Sequence, residues 1–409
     1  MIRRAFTSLR IRNFRLFMAG QLVSNIGTWC QAVALGWLVY TLTGSGTALG
    51  TVTAVQFVPA LFFSLWGGLL ADRFDKRKLL LVTQTTLAAM AAVLAGLVLT
   101  HAIVEWEVYV LAFLIGSVTA IDMPTRGSFV TEMVGTGEVA NGVALNSVMV
   151  NLSRVAGPAF AGVLIKWAGL GWCFAFNAAS FTAVIASLVA MRPRELYSVA
   201  APLRAKRQVR EGLVYAWRTP ELRAVLLLVA VVGTFAMNFP VVLAVLAKAV
   251  FHGGSGIYSI LSVVLALGSV GGAIWVAIRS RPTRTFFLGS CIAFGGFTLA
   301  AGLSRQIVVV CVLLAVAGGA SIMMMSTANA SLQVNSRPEM RGRVAALYTL
   351  VFLGSVPVGS PVLGWICQHW GADVGLALSG LITAVAGLVA LTVARSGKNK
   401  PVPAELATV

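Results

Sequence analysis

Three charged residues lie inside long apolar stretches of this sequence: Asp122, Arg126 and Arg154. A charge at the centre of a membrane helix costs about 2.5–3.5 kcal/mol on insertion scales, so it normally faces a cavity or a partner. Asp122 and Arg126 are four residues apart, which places them on one face of a helix. Because a carboxylate in a cavity changes its proton affinity when a nearby cation moves, we expect these three residues to couple proton movement to conformational change. A permanent structural ion pair is the alternative interpretation.

Helical rise predicts how deep these charges lie in the membrane. Asp122 lies about 22 Å along a helix from Glu107, and Arg154 lies about 20 Å from Asn141 on the next helix, which runs the opposite way. Their depths therefore differ, and Arg126 is the closer partner for Asp122. Glu132 falls near the end of the same stretch, where we expect it to be solvated.

The composition explains why the stretches around these charges must be membrane helices. The chain has 409 residues, of which 58% are hydrophobic and 11% charged, whereas soluble domains carry about 25% charged residues. Lipid offers no hydrogen-bond partner to an unpaired backbone, so the apolar runs must be helical. The sequence therefore predicts an all-α membrane protein with twelve transmembrane helices. We place them near residues 14–42, 47–71, 79–100, 107–133, 141–166, 171–191, 222–250, 256–278, 285–303, 307–332, 343–366 and 372–395.

The distribution of basic residues predicts the orientation. Of the 31 lysines and arginines, only Lys166, Lys248 and Arg305 fall on the side opposite the N-terminus, and Arg154 lies within a span. Basic loops stay in the cytoplasm, so we expect a multi-pass protein of the cell inner membrane with both termini cytoplasmic. The net charge of +18 is then explained by topology and by anionic membrane lipid, and a nucleic-acid partner is not needed.

The chain divides into two related halves. A polar segment at 192–221 separates an N-terminal six-helix bundle at 1–191 from a C-terminal one at 222–395, and a cytoplasmic tail follows at 396–409. The stretch that begins at Glu138 is similar to the one that begins at Glu339, since both contain a Val-Ala pair followed by Gly and Pro at similar offsets. Repeated halves around a central site are typical of secondary transporters.

The stretch GGLLADRFDKRK, at 67–78, carries a family resemblance. Its order resembles the loop signature Gly-x-x-x-Asp-Arg-x-Gly-Arg-Arg/Lys-Arg/Lys of the major facilitator superfamily, with Asp75 in place of the second glycine. The resemblance implies the major facilitator fold, with two pseudo-symmetric bundles, and a gating role for the matching residues. These are Gly68, Asp72, Arg73 and Arg77. Anchoring of the topology by the basic residues alone is the alternative.

A second resemblance concerns the direction of transport. Gly157 and Pro158 in the fifth span are similar to the Gly-Pro element of exporters in this superfamily, and we expect a helix kink and close helix approach there. Together with IDMPTRGSF and MRGRVAALYTLVFLG, this element resembles the branch that includes enterobactin-type siderophore exporters and macrolide efflux proteins. A kink without a role in transport is the alternative.

The resemblance places the substrate cavity among the first, fourth, seventh and tenth spans. Amide side chains in these spans would suit a bulky amphipathic compound, together with nearby methionines and aromatic residues such as Trp29. Hydrogen bonding between helices is the alternative role for each of them. The predicted substrate-binding residues are Gln21, Asn25, Gln31, Asn238 and Asn329.

These inferences predict a proton-driven secondary exporter of a small organic compound, a drug or siderophore, that works as a monomer. The sequence contains no ATP-binding loop, no metal-ligand spacing and no catalytic constellation, so we expect neither an enzyme nor a cofactor. Uptake by the same fold stays open. A non-transporting membrane sensor and a membrane enzyme that acts on lipid are further alternatives.

Overall fold

The computed structural model describes residues 6–197, 208–278 and 283–398, without the side chains of 64–69, 71, 72, 208–210 and 394–398. Within these ranges the chain is helical, and twelve segments are long and apolar enough to cross a membrane. The predicted all-α architecture with twelve spans is confirmed.

Six long helices form the first half. They are α1 (Arg12–Thr43), α2 (Gly46–Arg73), α3 (Lys76–Leu99), α4 (Glu105–Val134), α5 (Val139–Trp167) and α6 (Leu170–Ala190). We call the end at which α1 begins the basic end of the molecule, and the opposite end the far end.

The second half contains one additional helix and one interrupted span. Its helices are α7 (Gln208–Arg218), α8 (Pro220–Phe235), α9 (Phe239–Val245), α10 (Ser255–Ile278), α11 (Arg284–Leu303), α12 (Ile307–Val334), α13 (Arg341–Trp370) and α14 (Ala372–Lys398). A π-helical turn at Leu246–Val250 extends α9, so α8 and α9 together cross the membrane once.

Helix packing repeats from one half to the other. In the first half α1 packs against α5 and α6, and in the second half α8 packs against α13 and α14. Likewise α2 packs on α4 as α10 packs on α12, and α3 packs on α6 as α11 packs on α14. The two bundles are therefore pseudo-symmetric, as the sequence repeat predicts.

The halves meet through α2 against α13 and α5 against α10. At the first contact, a Cβ atom on Gly50 would lie 2.2 Å from the carbonyl oxygen of Ser360, and one on Gly364 would lie 2.2 Å from the carbonyl oxygen of Gly46. No real Cβ fits at these distances, so glycine permits the close approach of the two backbones. Both contacts lie toward the far end.

Polar and apolar contacts reinforce this far-end closure. Ser45 donates a hydrogen bond to the Oε1 atom of Gln368 at 2.6 Å, and the backbone N–H of Thr47 donates to the same atom at 3.1 Å. The hydrophobic core at this end contains residues of both halves, with Trp37 stacked on Tyr258. The halves are thus joined by a continuous core at the far end.

At the basic end each half has a core of its own. The first half buries a cluster that includes Phe14 and Phe129, and the second half buries a cluster that includes Leu222 and Val344. The described structure is therefore closed between the halves at the far end and divided at the basic end.

Two segments differ from the sequence prediction. The predicted span at 222–250 is interrupted, because α8 ends at Phe235 and α9 begins at Phe239, where Pro240 cannot donate a backbone hydrogen bond. The polar segment at 192–221 contains the helix α7, and its residues 198–207 lie outside the described structure. Residues 399–409 of the predicted tail also lie outside it.

Candidate functional site

Asp122 is the centre of a buried polar network between α1, α3 and α4. Its side chain is completely buried. Its Oδ1 atom accepts hydrogen bonds from the hydroxyl of Thr83 and the amide of Gln84, both at 2.7 Å, and its Oδ2 atom forms an ion pair with Arg126. Four-residue spacing on α4 and adjacent positions on α3 produce this arrangement. The predicted Asp122–Arg126 pair is present.

Arg126 connects this carboxylate to α1. Its Nη1 atom donates to the Oδ1 atom of Asn25 at 3.2 Å, and Gln21 donates to the same oxygen at 3.1 Å. The Nε atom of Arg126 and the Oε1 atom of Gln84 are buried and have no hydrogen-bond partner in the described structure. The network therefore contains one unpaired donor, on Arg126, and one unpaired acceptor, on Gln84, so a different set of hydrogen bonds is possible.

An aromatic pair lies between this network and the basic end. Phe17 and Phe129 pack edge to face with ring centroids 5.9 Å apart, and both are fully buried. They lie on the basic-end side of Gln21 and Asp122 along α1 and α4. Asp122 has no exposed side-chain surface, whereas the side chain of Arg126 is partly exposed.

Arg154 takes no part in this network. Its guanidinium carbon lies 5.0 Å from the ring centroid of Trp29 on α1, a cation–π contact. Close packing of the two helices explains the contact, because a Cβ atom on Gly157 would lie 2.3 Å from the Cβ atom of Trp29. The sequence groups Arg154 with Asp122, whereas the structure places it on a different partner.

The other predicted amides have three different environments. Gln31 is buried and accepts a hydrogen bond from Asn177 at 2.8 Å. Asn238 sits at the break between α8 and α9, where it donates to the carbonyl of Thr234 at 2.7 Å and accepts from the hydroxyl of Ser360 at 2.6 Å. Asn329 is half-buried and accepts from Gln333 at 2.9 Å. Substrate binding by these amides stays a prediction.

The residues of the family loop signature lie at the basic end of α2 and α3. The surroundings of Gly68 and of the Asp72 side chain lie outside what the structure describes, and Arg73 is exposed. Arg77 donates to the carbonyls of Leu188 and Val189 at 2.6 and 3.1 Å, which caps the end of α6. Their gating role stays a prediction.

Asp75, which replaces the family's glycine, caps α3. Its Oδ1 atom accepts the backbone N–H of Lys78 at 3.1 Å, as expected for an N-cap aspartate. The φ angle of −56° at this position is accessible to every residue type, so glycine is not required. Lys76 beside it forms an ion pair with Glu132 on α4.

Sequence reasoning missed Thr83 and Gln84 as partners of Asp122. The available signal is the polar run Thr83-Gln84-Thr85-Thr86, which lies between the apolar residues 79–82 and 87–89 of α3. Since a polar run in a lipid-facing helix also finds partners in its own backbone, this signal alone does not identify the carboxylate that it contacts.

The fold has clear counterparts among solved structures. A bacterial homologue of the human lysosomal transporter Spinster aligns with a TM-score of 0.74 at 16% identity, covering 96% of this chain and 99% of that one. The nucleoside transporter NupG aligns with a TM-score of 0.72 at 10% identity, covering 94% and 98%. These likenesses establish the major facilitator fold.

The chain belongs to the transmembrane secretion effector family of the major facilitator superfamily, whose family model matches residues 3–402. It is 24% identical to the staphyloferrin A transporter of Staphylococcus aureus, over 94% of this chain and 97% of that protein. It is 24% identical to macrolide efflux protein A of Streptococcus pyogenes, over 90% and 93%. It is 25% identical to the multidrug efflux pump Tap of Mycolicibacterium fortuitum, over 93% and 95%. The protein is thus a transporter and not an enzyme, and the predicted exporter resemblance is confirmed.

Proposed function

We propose that this protein is a secondary active exporter that moves a small organic compound out of the cytoplasm in exchange for protons. The observation that carries the proposal is the fully buried Asp122, held by Arg126 and by donors from α3. A buried carboxylate inside a membrane span marks a proton or ion pathway by default. The efflux names of the relatives support export over uptake.

The network supplies a physical route for coupling. While Asp122 is ionised, it holds Arg126 by charge. When it takes a proton, the ion pair is lost and Arg126 turns toward the remaining acceptors, of which Asn25 is already in contact. The bonds that hold α4 against α1 and α3 then change, so proton binding biases the equilibrium between two conformations. One proton moving down a difference of one pH unit supplies about 1.4 kcal/mol, enough for about tenfold accumulation.

The proposed cycle is alternating access between two states. The charge distribution predicts that the basic end faces the cytoplasm. A structure that is closed at the far end and divided at the basic end then corresponds to an inward-open state. In the opposite state the basic ends of α2 and α13 approach each other, and we propose that Gly68, Asp72, Arg73 and Arg77 act there as the gate. Gly157 and Pro158 allow α5 to bend as the halves move.

We propose a bulky amphipathic organic compound as the substrate. The names of the relatives refer to staphyloferrin A, a macrolide and multiple drugs, which supports an organic compound over an inorganic ion. The predicted amides would exchange their hydrogen bonds within the protein for hydrogen bonds to the compound. The proposed binding residues are Gln21, Asn25, Gln31, Asn238 and Asn329. Protons and membrane lipid are the other partners, and a monomer suffices for the cycle.

Transport by inverted membrane vesicles tests this proposal. Vesicles that contain the protein are acidified inside by respiration and offered a radiolabelled macrolide or staphyloferrin A. We expect an accumulation that a protonophore abolishes and that vesicles without the protein lack. Accumulation only in right-side-out vesicles with an inward proton gradient would instead identify an uptake system.

A further inference from the structure

Arg154 belongs to an exposed stripe on α5 that is separate from its packed faces. Val143, Ser147, Val150 and Arg154 recur at helical spacing. Val143 is 48% exposed and Val150 is 37% exposed, Ser147 is exposed and Arg154 is partly exposed. An arginine in the middle of a membrane helix therefore borders open space.

The neighbours of α5 locate this space. Met149, Ser153 and Gly157 lie on one buried face of α5, and Gly157 packs against Trp29 of α1. Gly162 packs against Ser259 of α10 in the other half. The stripe lies between these two contacts.

The remaining exposed face of α5 points the other way. Val148 and Leu152 are 65% and 54% exposed. Further along α5, on the side of the α1 contact that is opposite to the stripe, Phe160 packs on Phe176 of α6. This face is the one turned to lipid. The stripe with Arg154 consequently faces the gap between the two halves, where a transported compound must pass.

Arg154 also lacks a counter-charge. In the part of the chain that the structure describes, no carboxylate forms an ion pair with it, and Asp122 is occupied by Arg126. Arg154 lies about 22 Å along α5 from Val139, close to mid-span. An unpaired cation at that depth is costly, and the cation–π contact with Trp29 offsets only part of this cost.

We propose that Arg154 and Trp29 bind a carboxylate of the transported compound, which makes the substrate an organic anion with an apolar body. Trp29 covers one face of the guanidinium and fixes its plane, and the N–H groups at its edge stay free for a two-pronged contact with a carboxylate. Val143 and Val150 on the same stripe contact the apolar part. This assignment deepens the proposed export function and rests on it.

Binding to the purified protein in lipid nanodiscs tests the assignment. The probes are citrate, salicylate and fluorescein, each compared with its methyl ester, and the readout is the thermal unfolding midpoint. We expect at least one carboxylate, and not its ester, to raise the midpoint by about 3 °C at a hundredfold excess over Kd. Arg154→Gln should abolish this shift, and Trp29→Leu should weaken binding about tenfold.

Lys166→Gln provides the matched control, because it removes an exposed positive charge from the same helix and should leave the shift unchanged. Arg154→Lys keeps the charge and checks that the site folds without the guanidinium. The assignment is overturned if no probe is distinguished from its ester by the wild type, or if Arg154→Gln keeps the shift. If the protein accumulates substrate against the gradient but binds acids and esters equally, the carboxylate site is wrong and the exporter stands. If it binds only the acids but accumulates no substrate, the proposed export function is wrong.

Discussion

Asp122 has more hydrogen-bond donors than a simple ion pair requires. Thr83 and Gln84 each donate to it at 2.7 Å in addition to Arg126. Charge-assisted bonds of this kind stabilise the ionised form of a carboxylate, while complete burial disfavours it. In the proposed cycle, a movement of Arg126 removes the charged partner of this carboxylate and leaves the two donors from α3.

Asp75 provides a residue-scale prediction about local stability. Asp75→Ala removes the acceptor for the Lys78 N–H and should cost about 1 kcal/mol, which is about a fivefold faster hydrogen exchange of the first turn of α3. Exchange followed by mass spectrometry checks this rate.

Asp75→Gly is the informative comparison, because it restores the family pattern and should cost only a few tenths of a kcal/mol. Asp75→Asn keeps an acceptor and serves as the control. Unchanged exchange in Asp75→Ala would mean that the capping bond does not hold α3.

At this scale the sequence predicted a contact only where both residues lie on one helix. The Asp122–Arg126 pair was predicted from its four-residue spacing. The Gln21–Asn25 bond has the same spacing but was not predicted. The partners on other helices, Thr83 for Asp122 and Trp29 for Arg154, depend on helix rotation and depth. A one-residue shift in the start of a helix rotates each side chain by about 100°, so these contacts could not be predicted.

At the scale of elements, Gly157 permits the close packing of α5 on α1. Gly157→Ala would place its Cβ 2.3 Å from the Cβ of Trp29 and 3.0 Å from the carbonyl oxygen of Ile26. Since backbone must move to relieve this overlap, we expect a destabilisation of about 1–3 kcal/mol and displacement of Trp29 from Arg154. The thermal unfolding midpoint in detergent measures the first effect.

Gly96→Ala is the matched control, because a Cβ there would meet nothing within 4 Å and alanine favours a helix by roughly 0.5–1 kcal/mol. We expect its unfolding midpoint to stay equal or rise. Equal midpoints for the two variants would show that α1 and α5 are less closely packed than described.

The positions of the membrane spans could be predicted from the sequence. The interruption of the span formed by α8 and α9 could not. Long apolar runs separated by short polar, glycine-containing or charged connections define α1 to α6 and α10 to α14 within a few residues. The break between α8 and α9 occurs inside an uninterrupted apolar run that carries Pro240. Proline is tolerated inside membrane helices elsewhere in this chain, as at Pro124 and Pro158. Whether a proline breaks a helix depends on partners such as Ser360 for Asn238, which lie far away in sequence.

At the scale of the whole molecule, the two halves are two bundles that are in contact at the far end. Small residues on α2 and α13 let the backbones touch there, and separate cores at the basic end let each bundle tilt without losing its own packing. The similar halves could be predicted from the internal repeat, and the helix packing is repeated from one half to the other. The end at which the halves are closed could not be predicted, because the same sequence forms both states of the proposed cycle.

Locking the far end tests whether this contact must open. In a Ser45→Cys, Gln368→Cys double variant, the two side chains replace a direct 2.6 Å hydrogen bond between the halves. A short bifunctional thiol reagent should link them and abolish transport, because the far end can no longer open.

Reduction of a cleavable linker should restore transport. The single variant Ser45→Cys, treated with the same reagent, controls for local modification. Full transport by a completely linked protein would exclude movement at this contact from the cycle.

The most direct measurement of the central claim compares gradient-driven transport with exchange in Asp122→Asn. Proteoliposomes of the wild type should accumulate substrate about tenfold per pH unit, whereas those of Asp122→Asn should equilibrate labelled with unlabelled substrate but accumulate none. Thr83→Ala, which removes one uncharged donor from the same carboxylate, should still accumulate. Accumulation by Asp122→Asn at the wild-type level would contradict the account, because the proton would then be carried elsewhere.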